Sequence, residues 1–150
     1  MNIQVEELIY TANFGIKGLT EFGYSFEDMI TGQKAIPAEG SQFNILLEGE
    51  VKGEKLNGKF EAIDYMRVRN DGGFELSLFG TITVEEGIKI AWSASGTALP
   101  NPETGQMFLN EEIKMFTNNK KYNWVNNMLF WGRGVANLAT QELEVKVYKP

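Results

Sequence analysis

Whatever chemistry this chain does, it does without histidine or cysteine, because the sequence contains neither. That excludes disulfides, thiolate zinc sites, thiol nucleophiles and every imidazole-based acid–base scheme. Carboxylates, tyrosine, lysine, arginine and amides remain. Asp64 stands out among the carboxylates. Counting from Leu56, the even positions read Leu56, Gly58, Phe60, Ala62, Asp64, Met66 and Val68. Asp64 is the one charged residue on an otherwise apolar strand face. A carboxylate placed there must be hydrogen-bonded or paired, or its pKa must rise. Two roles are open to it. It is a polar anchor or acid at the floor of a pocket, or a structural residue bonded to an Arg or to backbone amides. A bulge that flips the register would also account for it.

The other acidic pairs, Glu6-Glu7, Glu85-Glu86 and Glu111-Glu112, read as solvated residues at turns or strand edges. Gly53-Glu54-Lys55-Leu56-Asn57-Gly58-Lys59 has phosphate-loop spacing. It lacks the following Ser or Thr and runs into a strand rather than a helix, so it reads as a hairpin. Aromatic residues are abundant, with 10 Phe, 5 Tyr and 3 Trp. Tyr122, Trp124, Phe130 and Trp131 fall close together, and Trp92 lies on the apolar parity of its strand. Such rings build a core or line a cavity, and a small barrel can do both. The candidate ligand-binding set is therefore Asp64, Tyr65, Trp92, Tyr122, Trp124, Asn126 and Phe130. No catalytic residue, metal ligand or cofactor is assigned.

The elements that must position these residues are strands. Period-two alternation runs through 43–51, 74–84, 88–93 and 143–148, as in half-buried antiparallel strands. Lys52-Gly53-Glu54-Lys55, Asn70-Asp71-Gly72-Gly73 and Glu85-Glu86-Gly87 carry hairpin chemistry. Residues 43–95 thus predict four consecutive antiparallel strands. Further strands are expected near Ile3–Ala12, Thr20–Phe26, Met115, Met128–Gly132 and Leu143–Tyr148. Eight to ten strands suffice to close a barrel. The segment from Ser25 to Gly32 has a cap at each end and allows a helix of at most two turns. Thr117–Tyr122 allows one helical turn. Gly96–Glu112, with Pro100 and Pro102, reads as the longest loop.

At 150 residues the chain is one domain, residues 1–150, large enough for a real core. Its net charge of −6 and pI near 4.8 argue against nucleic-acid binding. The N-terminus lacks signal-peptide features, and no apolar run approaches a membrane span. The cytoplasm is the expected compartment, with no membrane partner. With no His or Cys and no clustered acids, no transition metal is expected.

Two motifs carry a resemblance. Asp64-Tyr65-Met66-Arg67-Val68-Arg69-Asn70-Asp71-Gly72 is similar to a D-W-x-x-V-R-x-D-G pattern. The segment from Tyr122 to Gly134 is similar to Y-x-W-L-N-x-x-L-F-x-G-x-G, and Val147-Tyr148 fits the closing Val-Tyr. Together they resemble domain-of-unknown-function family 3237 from about Gly40 to the C-terminus. The resemblance implies a small antiparallel β-barrel of unestablished role. It places Asp64, Arg69, Asp71, Tyr122, Trp124, Asn126, Phe130 and Gly132 on recurring positions. Tyr65 departs from the usual Trp, Phe79 from an expected Arg, and Glu61-Ala62 from a Gly-Gly.

The reading is an all-β meander barrel, calycin-like or allene-oxide-cyclase-like, holding a small apolar or aromatic molecule. Gly49, Gly58, Ala62, Gly80 and Ala94 on inward faces favour a hollow interior. The alternatives are a cofactor-independent isomerase or cyclase using Asp64 and tyrosines, and a solid barrel forming a homo-oligomer through an exposed edge.

Overall fold

The computed structural model describes residues 6–101 and 103–149. Eight strands follow one another among the described residues: β1 (Glu7–Glu21), β2 (Ser41–Lys52), β3 (Gly58–Val68), β4 (Phe74–Thr83), β5 (Lys89–Pro100), β6 (Gln106–Phe116), β7 (Phe130–Asn137) and β8 (Glu142–Lys149). Each pairs antiparallel with the next, and β8 returns to β1, closing the barrel. The predicted meander of residues 43–95 is β2 to β5. Alternation explains the closure. Along β3, Phe60, Ala62, Asp64, Met66 and Val68 are buried while their neighbours face outward. A period-two strand can bury one face only, and a closed sheet buries that face without leaving an edge. Among the described residues the closed sheet leaves no open edge strand.

The one α-helix among the described residues, α1 (Phe26–Thr31), sits in the β1–β2 connection and matches the expected caps. The Ser25 side chain accepts the Asp28 amide, and Gly32 takes the left-handed conformation at φ 71°. Phe26 is buried edge-on against Phe43 at 5.3 Å. α1 thus covers the upper rim, which also carries the β3–β4, β5–β6 and β7–β8 turns. The lower rim carries the β2–β3 and β4–β5 turns and the β6–β7 connection.

Three local expectations are corrected. Thr20–Phe26 is not a strand of its own: β1 runs to Glu21, with a register shift between Ile16 and Gly18, and a bend follows before α1. The early strand starts at Glu7, and residues 3–5 of that expectation lie outside the described residues. Gly96–Glu112 is not a loop but most of a hairpin. Pro100 ends β5, and Asn101 and Gln106 close a tight turn through the Asn101 amide, which donates to the Gln106 carbonyl at 2.8 Å. Proline at the end of a strand removes no essential ladder bond. Thr117–Tyr122 makes no helical turn; a single 3-10 turn follows at Asn123–Val125. No helix among the described residues is long and apolar enough to cross a membrane.

Candidate functional site

Inward-facing residues divide the barrel into two halves. The lower half is filled. Phe60 meets Trp92 edge-on at 4.7 Å and Phe14 at 5.2 Å. The Trp92 indole N–H donates to the Tyr10 hydroxyl at 2.9 Å, satisfying the one polar atom of a buried indole. Burial holds the Tyr10 phenol above its ordinary pKa, so it stays neutral. Leu56, Ile82, Ile90, Val125 and Phe130 complete this floor and are all fully buried.

The upper half is hollow. A cavity of about 40 Å³ lies beneath α1, lined by Phe14, Ile16, Phe26, Ile45, Leu47, Asp64, Met66, Phe74, Leu76, Leu78, Met107, Leu109, Glu111, Ala136, Asn137, Leu138, Gln141 and Leu143. A single water needs about 10–15 Å³ by the same measure. The wall is hydrocarbon except for two carboxyl groups and two amides. Among the described residues it contains no lysine and no arginine.

Asp64 is 7% exposed. Its Oδ1 accepts the Ser77 amide at 3.2 Å. Between β3 and β4 the pairing runs to Asp64↔Leu78 and resumes at Arg67↔Glu75. The Asp64 carboxylate takes up a β4 amide in this interruption, so the side chain is both a strand link and a cavity wall. Burial pushes its carboxyl up to about 6, against the opposing pull of the Ser77 amide.

Glu111 is 4% exposed, on the inward parity of β6 with Met107, Leu109, Ile113 and Met115. Burial, and secondarily the nearby Asp64 charge, push its carboxyl up to about 8. The expectation that Glu111-Glu112 is a solvated pair holds for neither the place nor the burial of Glu111. Across the sheet Glu111 pairs with Gly132. A Cβ on Gly132 would lie 2.9 Å from Ile113 Cδ1 and 3.2 Å from Val145 Cγ1, so the absent side chain leaves this wall of the barrel its close packing.

Of the predicted site residues, Asp64 alone lines this cavity. Tyr65 is on the outer face, 40% exposed, with its ring 6.3 Å from that of Phe79. Trp92 lies in the floor beneath the cavity. Tyr122, Trp124, Asn126 and Phe130 gather at the lower end. The Tyr122 hydroxyl donates to Glu85 at 2.6 Å, and Lys121 pairs with the same carboxylate. Asn126 caps the end of β6 by accepting the Thr117 amide at 2.8 Å and donating to the Thr117 carbonyl at 2.9 Å. Phe130 is buried edge-on to Trp124 at 6.4 Å. Tyr122 and Trp124 border an open polar cleft with Glu54, Lys55, Asn57, Glu85 and Lys121.

The inward glycines do not hollow the barrel. A Cβ on Gly49 would sit 2.0 Å from the Asn13 carbonyl oxygen, and one on Gly80 2.2 Å from that of Glu61. They let neighbouring strands approach where the sheet bends. Among the described residues no group of three or more acids could hold a metal ion.

Solved structures share this fold. A protein of unknown function from Rhodopseudomonas palustris is similar at 17% identity and a TM-score of 0.77, with 99% of each chain covered. Another of unknown function, from Clostridium acetobutylicum, is 21% identical with a TM-score of 0.75, covering 97% of this chain and 99% of that one. A structure described as an enzyme from Penicillium herquei is 18% identical with a TM-score of 0.63, covering 97% and 94%. No curated protein matches the sequence. The family model described as "Protein of unknown function (DUF3237)" matches residues 24–149, and the chain belongs to that family.

Proposed function

We propose that the upper half of the barrel binds a small, largely apolar molecule, held by the Asp64 and Glu111 carboxyl groups. The observation that carries this reading is the pairing of two buried carboxyls with a hydrocarbon cavity. A filled core would have excluded both, since a buried acid without full compensation destabilises a fold. A few polar groups converging in an apolar cleft is the usual pattern of small-molecule sites. Met66 and Met107 in the wall can shift rotamers to admit a ligand larger than the free volume.

The test is a thermal melt with and without a small neutral ring compound such as benzyl alcohol. A ligand that binds only the folded barrel raises the melting temperature in proportion to its concentration over Kd. Asp64→Asn keeps the Ser77 contact while removing the charge. It should weaken binding by about 1.5–3 kcal/mol. Unchanged melting across a range of small ring compounds, neutral and cationic alike, would overturn the proposal.

A second reading, cofactor-independent proton-transfer catalysis as in an isomerase or cyclase, is favoured by the unequal acids. At pH 7 Asp64 is mostly ionised and Glu111 mostly protonated, which is how acid and base roles are divided between neighbouring carboxyls. The Penicillium herquei structure described as an enzyme supports a barrel of this shape hosting catalysis. Deuterium exchange at the α-carbon of a small ketone, lost in Asp64→Asn, would support it. Exchange no faster than in buffer alone would dismiss it.

A further inference from the structure

Among the described residues the upper cavity is lined by acids and by no base, its only charged side chains being Asp64 and Glu111. The ion pairs among the described residues, such as Arg69–Asp71 and Arg133–Glu6, lie on the surface and involve neither acid. Asp64 has the Ser77 amide as a hydrogen-bond donor. No hydrogen bond to the Glu111 carboxyl is present among the described residues, although the side chain is almost fully buried and faces the cavity. Among the described residues no side-chain oxygen or nitrogen is both sealed off and without a partner, so the unbonded Glu111 carboxyl opens onto the cavity, whereas the Trp92 indole below it is met by the Tyr10 hydroxyl.

A buried carboxylate requires a donor or a counter-charge. Among the described residues the protein supplies neither to Glu111, which therefore keeps its proton while the cavity is empty. Resting on the reading of this cavity as a small-molecule site, we propose that its ligand is a small apolar primary amine, bound as the ammonium ion between Asp64 and Glu111. An ammonium group carries three donors and no acceptor, which suits two carboxyl groups and would repel none of them. The hydrocarbon part would rest on Leu76, Met107 and Leu109. A neutral ligand would leave the charge in the cavity uncompensated. A carboxylic acid or phosphate would add a like charge.

The proposal has a proton consequence. A cation between the two acids favours their ionised forms, as any opposite charge at close range does. Glu111 binds a proton in the empty cavity at pH 7. On amine binding that proton leaves for solvent, the ammonium keeps its own, and the carboxylate so formed pairs with it.

Benzylamine and benzyl alcohol, nearly equal in shape, test this by isothermal titration calorimetry at pH 7. The amine should bind at least tenfold more tightly. Its apparent heat should change between buffers of different ionisation enthalpy, reporting proton release that Glu111→Gln abolishes. Equal affinity for amine and alcohol would overturn the amine assignment while leaving the small-molecule reading intact. Binding of neither would overturn that reading as well. The comparison of the two probes on the unaltered protein stands even if Glu111→Gln fails to fold.

Discussion

At the scale of single residues, the two interior acids set how stability depends on pH. Asp64 moves from 3.8 in a free chain to about 6, and Glu111 from 4.5 to about 8. Over this interval the folded protein holds protons that the unfolded chain has released, so stability falls as pH rises. The favourable contribution is complete below about pH 4 and is lost as pH passes the two folded values. The melting temperature should therefore drop between pH 5 and pH 9. Glu111→Gln should flatten that profile, gaining on the order of 3 kcal/mol over the parent at pH 9 and little at pH 5. Denaturant unfolding at the two pH values measures this; parallel profiles for parent and variant would refute it. Asp64 was legible in the sequence because one charge broke an apolar parity. Glu111 breaks the parity of Met107, Leu109, Ile113 and Met115 in the same way. Its signal was hidden by Pro100 and Pro102, which make a hairpin resemble a loop, and by Glu112, which makes a buried acid resemble half of a surface pair. Tyr122 and Trp124 lie close together along the chain. Proximity in sequence does not reveal which end of a barrel a ring will close.

At the scale of elements, the strands and turns follow from alternation and turn chemistry, and the deviations from short-range constraints. Alternation located β2 to β5 because each strand is half-buried and each joint carries Gly, Asn or Asp. It missed the length of β1, where Gly15, Gly18 and Lys17 dilute the pattern and the register shifts after Ile16. Close strand contacts give a further prediction. A Cβ on Gly96 would lie 1.9 Å from the Asn110 carbonyl oxygen, on backbone that cannot rotate away. Gly96→Ala should cost about 1–3 kcal/mol by forcing β5 and β6 apart. Chemical denaturation is the check, and a neutral result would show that the strands separate easily. The cap of α1 is a milder case. Ser25→Ala removes the bond to the Asp28 amide at 2.9 Å and should cost about 1 kcal/mol. Asn126→Ala should destabilise the lower end by removing both bonds to Thr117. It should leave ligand affinity in the upper cavity unchanged, and a large loss of affinity would place the site at the wrong end.

At the scale of the molecule, one barrel does two jobs along its axis. Aromatic packing from Phe60, Trp92 and Phe130 closes the lower end and supplies the rigid base. The upper end accepts the cost of two buried acids and a void beneath a six-residue helix. That division was not legible in the sequence, because it depends on where each inward residue falls along the barrel axis. Period two tells inside from outside but not top from bottom. It gives the account its most direct test. The Ser77 amide is bonded to the Asp64 carboxylate, so its resonance reports on the cavity from within the strand. Proton–nitrogen correlation spectra recorded during a titration with benzylamine should move Ser77, Glu111 and Gln141 in a saturable way. Thr117 and Asn126, at the filled end, should stay in place. Shifts confined to residues 117–130, or no saturable shift at Ser77, would contradict a ligand site built on Asp64 and Glu111.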